Sequence, residues 1–209
     1  MRLVQAFSFI LLLAGLCAAA WARYPTPSPS PVSWELKFDH SLPKRIVVAV
    51  PGQDVPQAFW YMTYTLTNPL TNDPQRDKER VFYPVFEMLM GDGVVTRSDN
   101  NIPLVVFDEI KRREGARFLE NANHMFGEIR LGEDQARDGV AIWPETSSRM
   151  GAFSIFVSGI FGETAVVKMP DGKEVTLHRT LQLNYHVNGD QYYPDRDEVT
   201  ADPPDVVMR

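Results

Sequence analysis

From Glu174 to Asn188 the side chains alternate in kind. Val175, Leu177, Leu181, Leu183, Tyr185 and Val187 form one apolar set, with Arg179 its exception. Glu174, Thr176, His178, Thr180, Gln182, Asn184, His186 and Asn188 form a polar set. A period of two places the sets on opposite faces of an extended strand, one against a core and one in water. A helix would scatter both sets around its axis, so this pattern commits the segment to a sheet.

The same period recurs along the chain. Trp34, Leu36 and Phe38 alternate with Ser33, Glu35, Lys37 and Asp39. Ala58, Trp60, Met62, Tyr64 and Leu66 share one face, and Gln57, Phe59, Tyr61, Thr63, Thr65 and Thr67 the other, up to the breaker Asn68-Pro69. Phe153, Ile155 and Val157 alternate with Ser154, Phe156 and Ser158. Short apolar runs at Ile46–Val50, Val81–Met90, Val94–Thr96, Val140–Trp143 and Thr164–Met169 complete the strands. Pro84 marks an edge or a bulge in its run, and Pro170-Asp171-Gly172-Lys173 signals a hairpin. One segment reads as a helix, 102–115. Asn100 and Asn101 are its candidate caps, Pro103 suits its first turn, and Ile102, Val106, Phe107 and Ile110 form its apolar stripe. Asp108–Arg112 and Glu109–Arg113 are pairs four apart, and Gly115 ends it. The stretch from Phe118 to Asp138 reads as irregular and charged.

The expected fold is therefore mainly β, an antiparallel β-sandwich of immunoglobulin type with one short helical insertion; a β-barrel is the alternative. With 209 residues and 44% hydrophobic side chains, one domain can bury its own core. The organisation reads as a signal peptide at 1–22, a Pro-rich linker at 23–32, the sandwich at 33–190 and an acidic C-terminal arm at 191–209. In that arm Val206-Val207-Met208 could dock back.

Arg2, the apolar run through Phe9, Ile10, Leu11, Leu12 and Leu13, and the small residues Ala20 and Ala22 around Trp21 form the three regions of a secretory signal. Cleavage after Ala22 is the first choice and after Ala20 the second; an uncleaved N-terminal anchor is the alternative. Either cut removes Cys17, the chain's single cysteine, leaving nothing for thiol, disulfide or thiolate-metal chemistry. Leu16 before Cys17 is too large for lipoprotein processing. Prolines 25, 27, 29 and 31 alternate with Thr26, Ser28 and Ser30, the pattern of a semi-rigid extended spacer. The expected location is the periplasm or the cell exterior.

The segment Trp60-Tyr61-Met62-Thr63-Tyr64-Thr65-Leu66-Thr67-Asn68 resembles the strand-to-Asn-turn region of bacterial immunoglobulin-like domains. Together with Phe82-Tyr83-Pro84-Val85-Phe86, the run from Gly132 to Pro144 and the terminal Val207-Met208-Arg209, it is similar to a group of exported bacterial proteins with no assigned function. The resemblance implies export and a shared fold across most of the mature chain, and brings no catalytic residue with it.

Catalytic motifs are absent from the sequence. The net charge of −6 argues against a nucleic-acid partner, which demands clustered Lys and Arg. His178 and His186 share the polar face of one strand, but eight residues at ~3.4 Å rise put them ~27 Å apart, too far for one metal. His40 and His124 are isolated. Glu133, Asp134 and Asp138, with Glu145 eleven residues after Asp134, half-match a calcium loop in which Ala136 occupies a ligand position; they are a weak calcium candidate. Phe156-Val157-Ser158-Gly159 lacks the first glycine of a nucleophile elbow. Paired carboxylates for glycoside hydrolysis depend on folding, not on spacing. Phe59, Tyr61, Tyr192 and Tyr193 could offer a stacking surface, although burial under the helix or the second sheet is the simpler fate of the first two.

The expectation is a non-catalytic, exported binding or scaffolding module without a cofactor, its partner an envelope or extracellular protein or polysaccharide. Its contact surface would be a sheet edge, the polar face bearing His178, Gln182 and Asn184, or the loop from Glu133 to Asp138. A carboxylate-based hydrolase of an envelope polymer and a calcium-stabilised adhesion domain are the alternatives.

Overall fold

The computed structural model describes residues 24–71, 73–146, 151–187 and 199–209. The signal segment 1–22 and Tyr192-Tyr193 lie outside the described residues. Two antiparallel sheets pack face to face and do not close into a barrel, so the sandwich holds and the barrel alternative falls.

The first sheet contains β1 (Lys37–His40), β2 (Lys44–Val48), β3 (Gln57–Thr67) and β8 (Arg137–Pro144). β8 runs along one side of β3, and β1 and β2 follow one another along the other. His40 faces Tyr64 and Lys44 faces Tyr61, so Ser41, Leu42 and Pro43 stand opposite two residues only, Met62 and Thr63. This is a β-bulge, and Pro43, which has no N–H, sits where the ladder is already broken.

The second sheet has β11 (Glu174–Val187) at its centre. β13 (Asp205–Met208) and β12 (Val199–Ala201) line one side of it. β9 (Ala152–Ser158) and β10 (Thr164–Lys168) line the other, and β5 (Val85–Met90) and β6 (Val95–Arg97) continue beyond β9. A separate short ladder joins β4 (Arg80–Phe82) to β7 (Gly127–Ile129). The two sheets bury Trp60, Met62, Leu66, Trp143, Phe86, Met88, Phe153, Ile155, Val157 and Tyr185 between them.

A second core lies on the outer face of the first sheet. Helix α1 (Leu104–Glu114) sets Val106, Phe107 and Ile110 against Ile46, Val48, Phe59, Tyr61, Val140 and Ile142. Burial beneath this helix is thus the fate of Phe59 and Tyr61, which offer no stacking surface. It also explains why β3 carries aromatics on its nominally polar face: the strand is covered on both sides.

Several boundaries differ from the sequence reading. The run 81–90 is two strands, because Tyr83 and Pro84 carry the chain from the β4–β7 ladder into the second sheet. The charged stretch 118–138 contains α2 (Ala122–Met125), β7 and a 3-10 turn at Glu133–Gln135. Neither Asn100 nor Asn101 caps α1. Pro103 holds the N-cap position without a side-chain bond, and Asn101 has φ +56°. On that helix Arg112 pairs with Glu109, three residues back instead of four. The C-terminal arm is not irregular throughout: Val206 to Met208 dock as strand β13, and 199–201 also pair with β11. Arg209 then fixes the end of the chain, exchanging main-chain hydrogen bonds with His178, bonding Glu87 at 2.8 Å and covering the Phe156 ring. The Pro-rich segment is tied down at Ser28, whose N–H and Oγ both donate to Glu163 at 3.0 and 2.7 Å.

Candidate interaction surface

β10 and the first five residues of β11 run past the sandwich as a two-stranded ribbon closed by the turn at Met169–Lys173. The turn residue Gly172 has φ +84°, as a tight hairpin requires. The faces of the ribbon follow from its register. Val167 opposes Val175 and Ala165 opposes Leu177 on one face; Thr164, Val166 and Lys168 oppose His178, Thr176 and Glu174 on the other. Val166 is 64% exposed and Met169 45%.

Main-chain direction follows from the same register. Arg179 N–H donates to Glu163 O, and Met169 N–H donates to Lys173 O. Residues 163, 165, 167 and 169 therefore turn their N–H and C=O toward β11, and Thr164, Val166 and Lys168 turn theirs outward. Among the described residues, no strand pairs with this outer edge of β10.

The base of the ribbon is held by charge. Arg179 Nη1 donates to Glu35 at 2.6 Å and lies 3.4 Å from Glu163, and its guanidinium covers the Phe161 ring. This explains the one break in the β11 alternation: Arg179 occupies a core-facing position because two carboxylates and an aromatic face receive it there.

One concavity elsewhere, about 320 Å³, opens between the bulge and the end of α1, lined by Asp39, His40, Thr63, Thr65, Glu114 and Asp138. Its acids are committed to neighbours. Glu114 accepts both from Lys44 Nζ, at 2.8 and 3.0 Å, and from the Tyr61 hydroxyl at 2.6 Å. Burial pushes its carboxyl up, but these bonds outweigh burial and hold it below the usual carboxylate range. A general acid for glycoside hydrolysis needs the opposite shift. Asp138 accepts from Thr65 Oγ1 at 2.7 Å.

Another, about 190 Å³, is lined by Asp99, Ile102, Phe107, Asn121, Asn123 and Ile142 at the start of α1. Ser98 N–H donates to Phe86 O in one sheet and Asp99 N–H to Ile142 O in the other, so this dipeptide bridges the sandwich. The bridge bends Asp99 to φ +57° and leaves its Oδ2 buried without a hydrogen-bond partner among the described residues. Burial pushes the Asp99 carboxyl up to about 7, against the opposing effect of its hydrogen bonds. Nothing in the sequence around Ser98-Asp99-Asn100 marks this, since both the desolvation and the two bonded carbonyls come from distant segments.

The remaining candidates are dispersed. Glu133 and Asp134 lie in the 3-10 turn, where Asp134 accepts from Gln135, and Asp138 is on β8 with Thr65. Among the described residues, no three His, Cys, Asp or Glu side chains are placed to hold one metal ion. His178 and His186 stand on the single strand β11, and His186 Nε2 meets Asp202 at 2.9 Å. His40 lies in the bulge region against Phe38, and the His124 N–H is capped by Asn121. Ser158 ends β9, followed by Gly159 at φ +83°.

Comparisons with protein-family models, curated proteins and solved structures return no match.

Proposed function

We propose that this chain is an exported, non-catalytic β-sandwich module that binds or scaffolds another component of the cell envelope or exterior, and that it does so through the β10–β11 ribbon. The observation behind this reading is the outer edge of β10, which pairs with no strand among the described residues and where three residues turn their main-chain donors and acceptors outward beside an exposed Val166. Such an edge recognises an extended polypeptide by strand addition, which selects a protein partner over a polysaccharide. Export is inferred from the leader-like segment 1–22, and the resemblance to exported bacterial proteins belongs to the same proposal. Among the described residues, no helix is long and apolar enough to cross a membrane. Against hydrolysis in the cleft beside the bulge stands the downward shift of Glu114.

A photo-crosslinking residue placed at Val166 tests the reading in the producing cell. Val55, equally exposed in a loop of the first sheet, serves as control. Covalent adducts from position 166 and none from position 55 are the expected result. Absence of adducts at 166, or equal labelling at both, would remove the ribbon as the working surface.

A further inference from the structure

We infer that the partner of the β10 edge is a second copy of this chain, paired antiparallel about a two-fold axis through Val166. This rests on the ribbon reading and names its occupant.

Natural sheets protect the edges that are not meant to pair. The β1–β2 edge is broken by the Pro43 bulge and flanked by Lys37, Lys44 and Arg45. The outer edge of β8 is covered, because Glu120 and Asp99 bond its main chain at Asp138, Val140 and Ile142. β6 is three residues long and ends on Arg97. The β12–β13 edge is interrupted by Asp202-Pro203-Pro204-Asp205. Of these devices β10 has one, the charge of Lys168 at its end. It is otherwise five regular residues, Thr-Ala-Val-Val-Lys, without proline, bulge or inward charge; among the described residues no strand covers it, and Trp34 O takes the N–H of Gly162 just before its start.

The edge is also complementary to itself. A two-fold at Val166 sets Val166 against its own copy, Thr164 against Lys168 of the other copy, and Ala165 against Val167. The three residues whose N–H and C=O point outward, Thr164, Val166 and Lys168, then face one another as hydrogen-bonded pairs. Each facing pair forms two main-chain bonds. The single charge on the edge, Lys168, falls opposite a hydroxyl and not opposite its own copy. An isologous contact needs this matching of residue i with j and j with i. The result joins the two ribbons into a continuous four-stranded sheet, with the exposed valines packed as a cross-strand pair.

Sedimentation equilibrium of the purified protein over a wide concentration range reads the assembly. The expected result is a reversible rise from one to two chain masses. Val166→Pro removes only an outward N–H, leaving the β10–β11 ladder intact, and weakens dimerisation at least tenfold. Thr164→Lys places like charges opposite each other and weakens it about threefold, whereas Thr164→Glu faces Lys168 and tightens it by a similar factor. A protein that stays monomeric throughout overturns the inference, as does a dimer indifferent to Val166→Pro and to both Thr164 variants. Crosslinks from position 166 to a different protein, with a monomer in solution, overturn self-pairing but leave the ribbon as the binding surface.

Discussion

Replacing Asp99 by Asn should stabilise the protein at neutral pH and leave it unchanged in acid. Asn keeps the size of the side chain and tolerates the left-handed φ of +57°, so the substitution isolates the charge. In the folded state burial raises the carboxyl from an ordinary 3.8 to about 7. Between those values the native state holds a proton that the unfolded chain has released, so wild-type stability falls as pH rises through that window. It reaches its floor above pH 7. Each pH unit corresponds to about 1.4 kcal/mol, which gives an upper bound of roughly 4 kcal/mol at neutral pH. Water entering the adjoining cavity would reduce this to ~1–3 kcal/mol. Urea unfolding at a series of pH values provides the assay. The two proteins should coincide near pH 3.5, diverge through pH 4–7 and stay apart above it. A constant difference at all pH values would refute the reasoning, because a packing change does not titrate. So would a variant less stable than wild type at pH 7.5.

Two substitutions probe the core. A Cβ at Gly139 would stand 2.6 Å from the Tyr64 hydroxyl, so Gly139→Ala should cost ~1–3 kcal/mol in denaturant unfolding; a neutral result would mean that Tyr64 does not lie across β8. Tyr64→Phe, by contrast, removes a buried hydroxyl that has no partner among the described residues and should be neutral or slightly stabilising. At the sheet edge Glu145 accepts two bonds from Arg45, at 2.6 and 3.0 Å, and one from Trp60 Nε1 at 3.1 Å. Glu145→Gln keeps the shape but removes the charge, and should cost about 1–3 kcal/mol in the same assay.

What could be read from the chain alone were the features governed by near neighbours. Alternation from Glu174 to Val187, and again from Gln57 to Thr67, depends only on where successive side chains point, so strand identity was legible in both. The stripe of Val106, Phe107 and Ile110 gave the helix in the same way. The hairpin at Pro170–Lys173 declared itself by turn chemistry. Other features depended on distant partners. Arg179 breaks its alternation because Glu35, Glu163 and Phe161 surround it, and they come from far along the chain. Phe59 and Tyr61 are buried only because α1 crosses their face, and the run at Pro84 splits only because β7 and β9 claim its two halves. Asp99 looks like any loop aspartate until two sheets close over it. That no described strand pairs with the outer edge of β10 is likewise tertiary: sequence makes a strand, but which neighbours it has is decided when all the others have found theirs, since pairing is a property of the sheet and not of the segment.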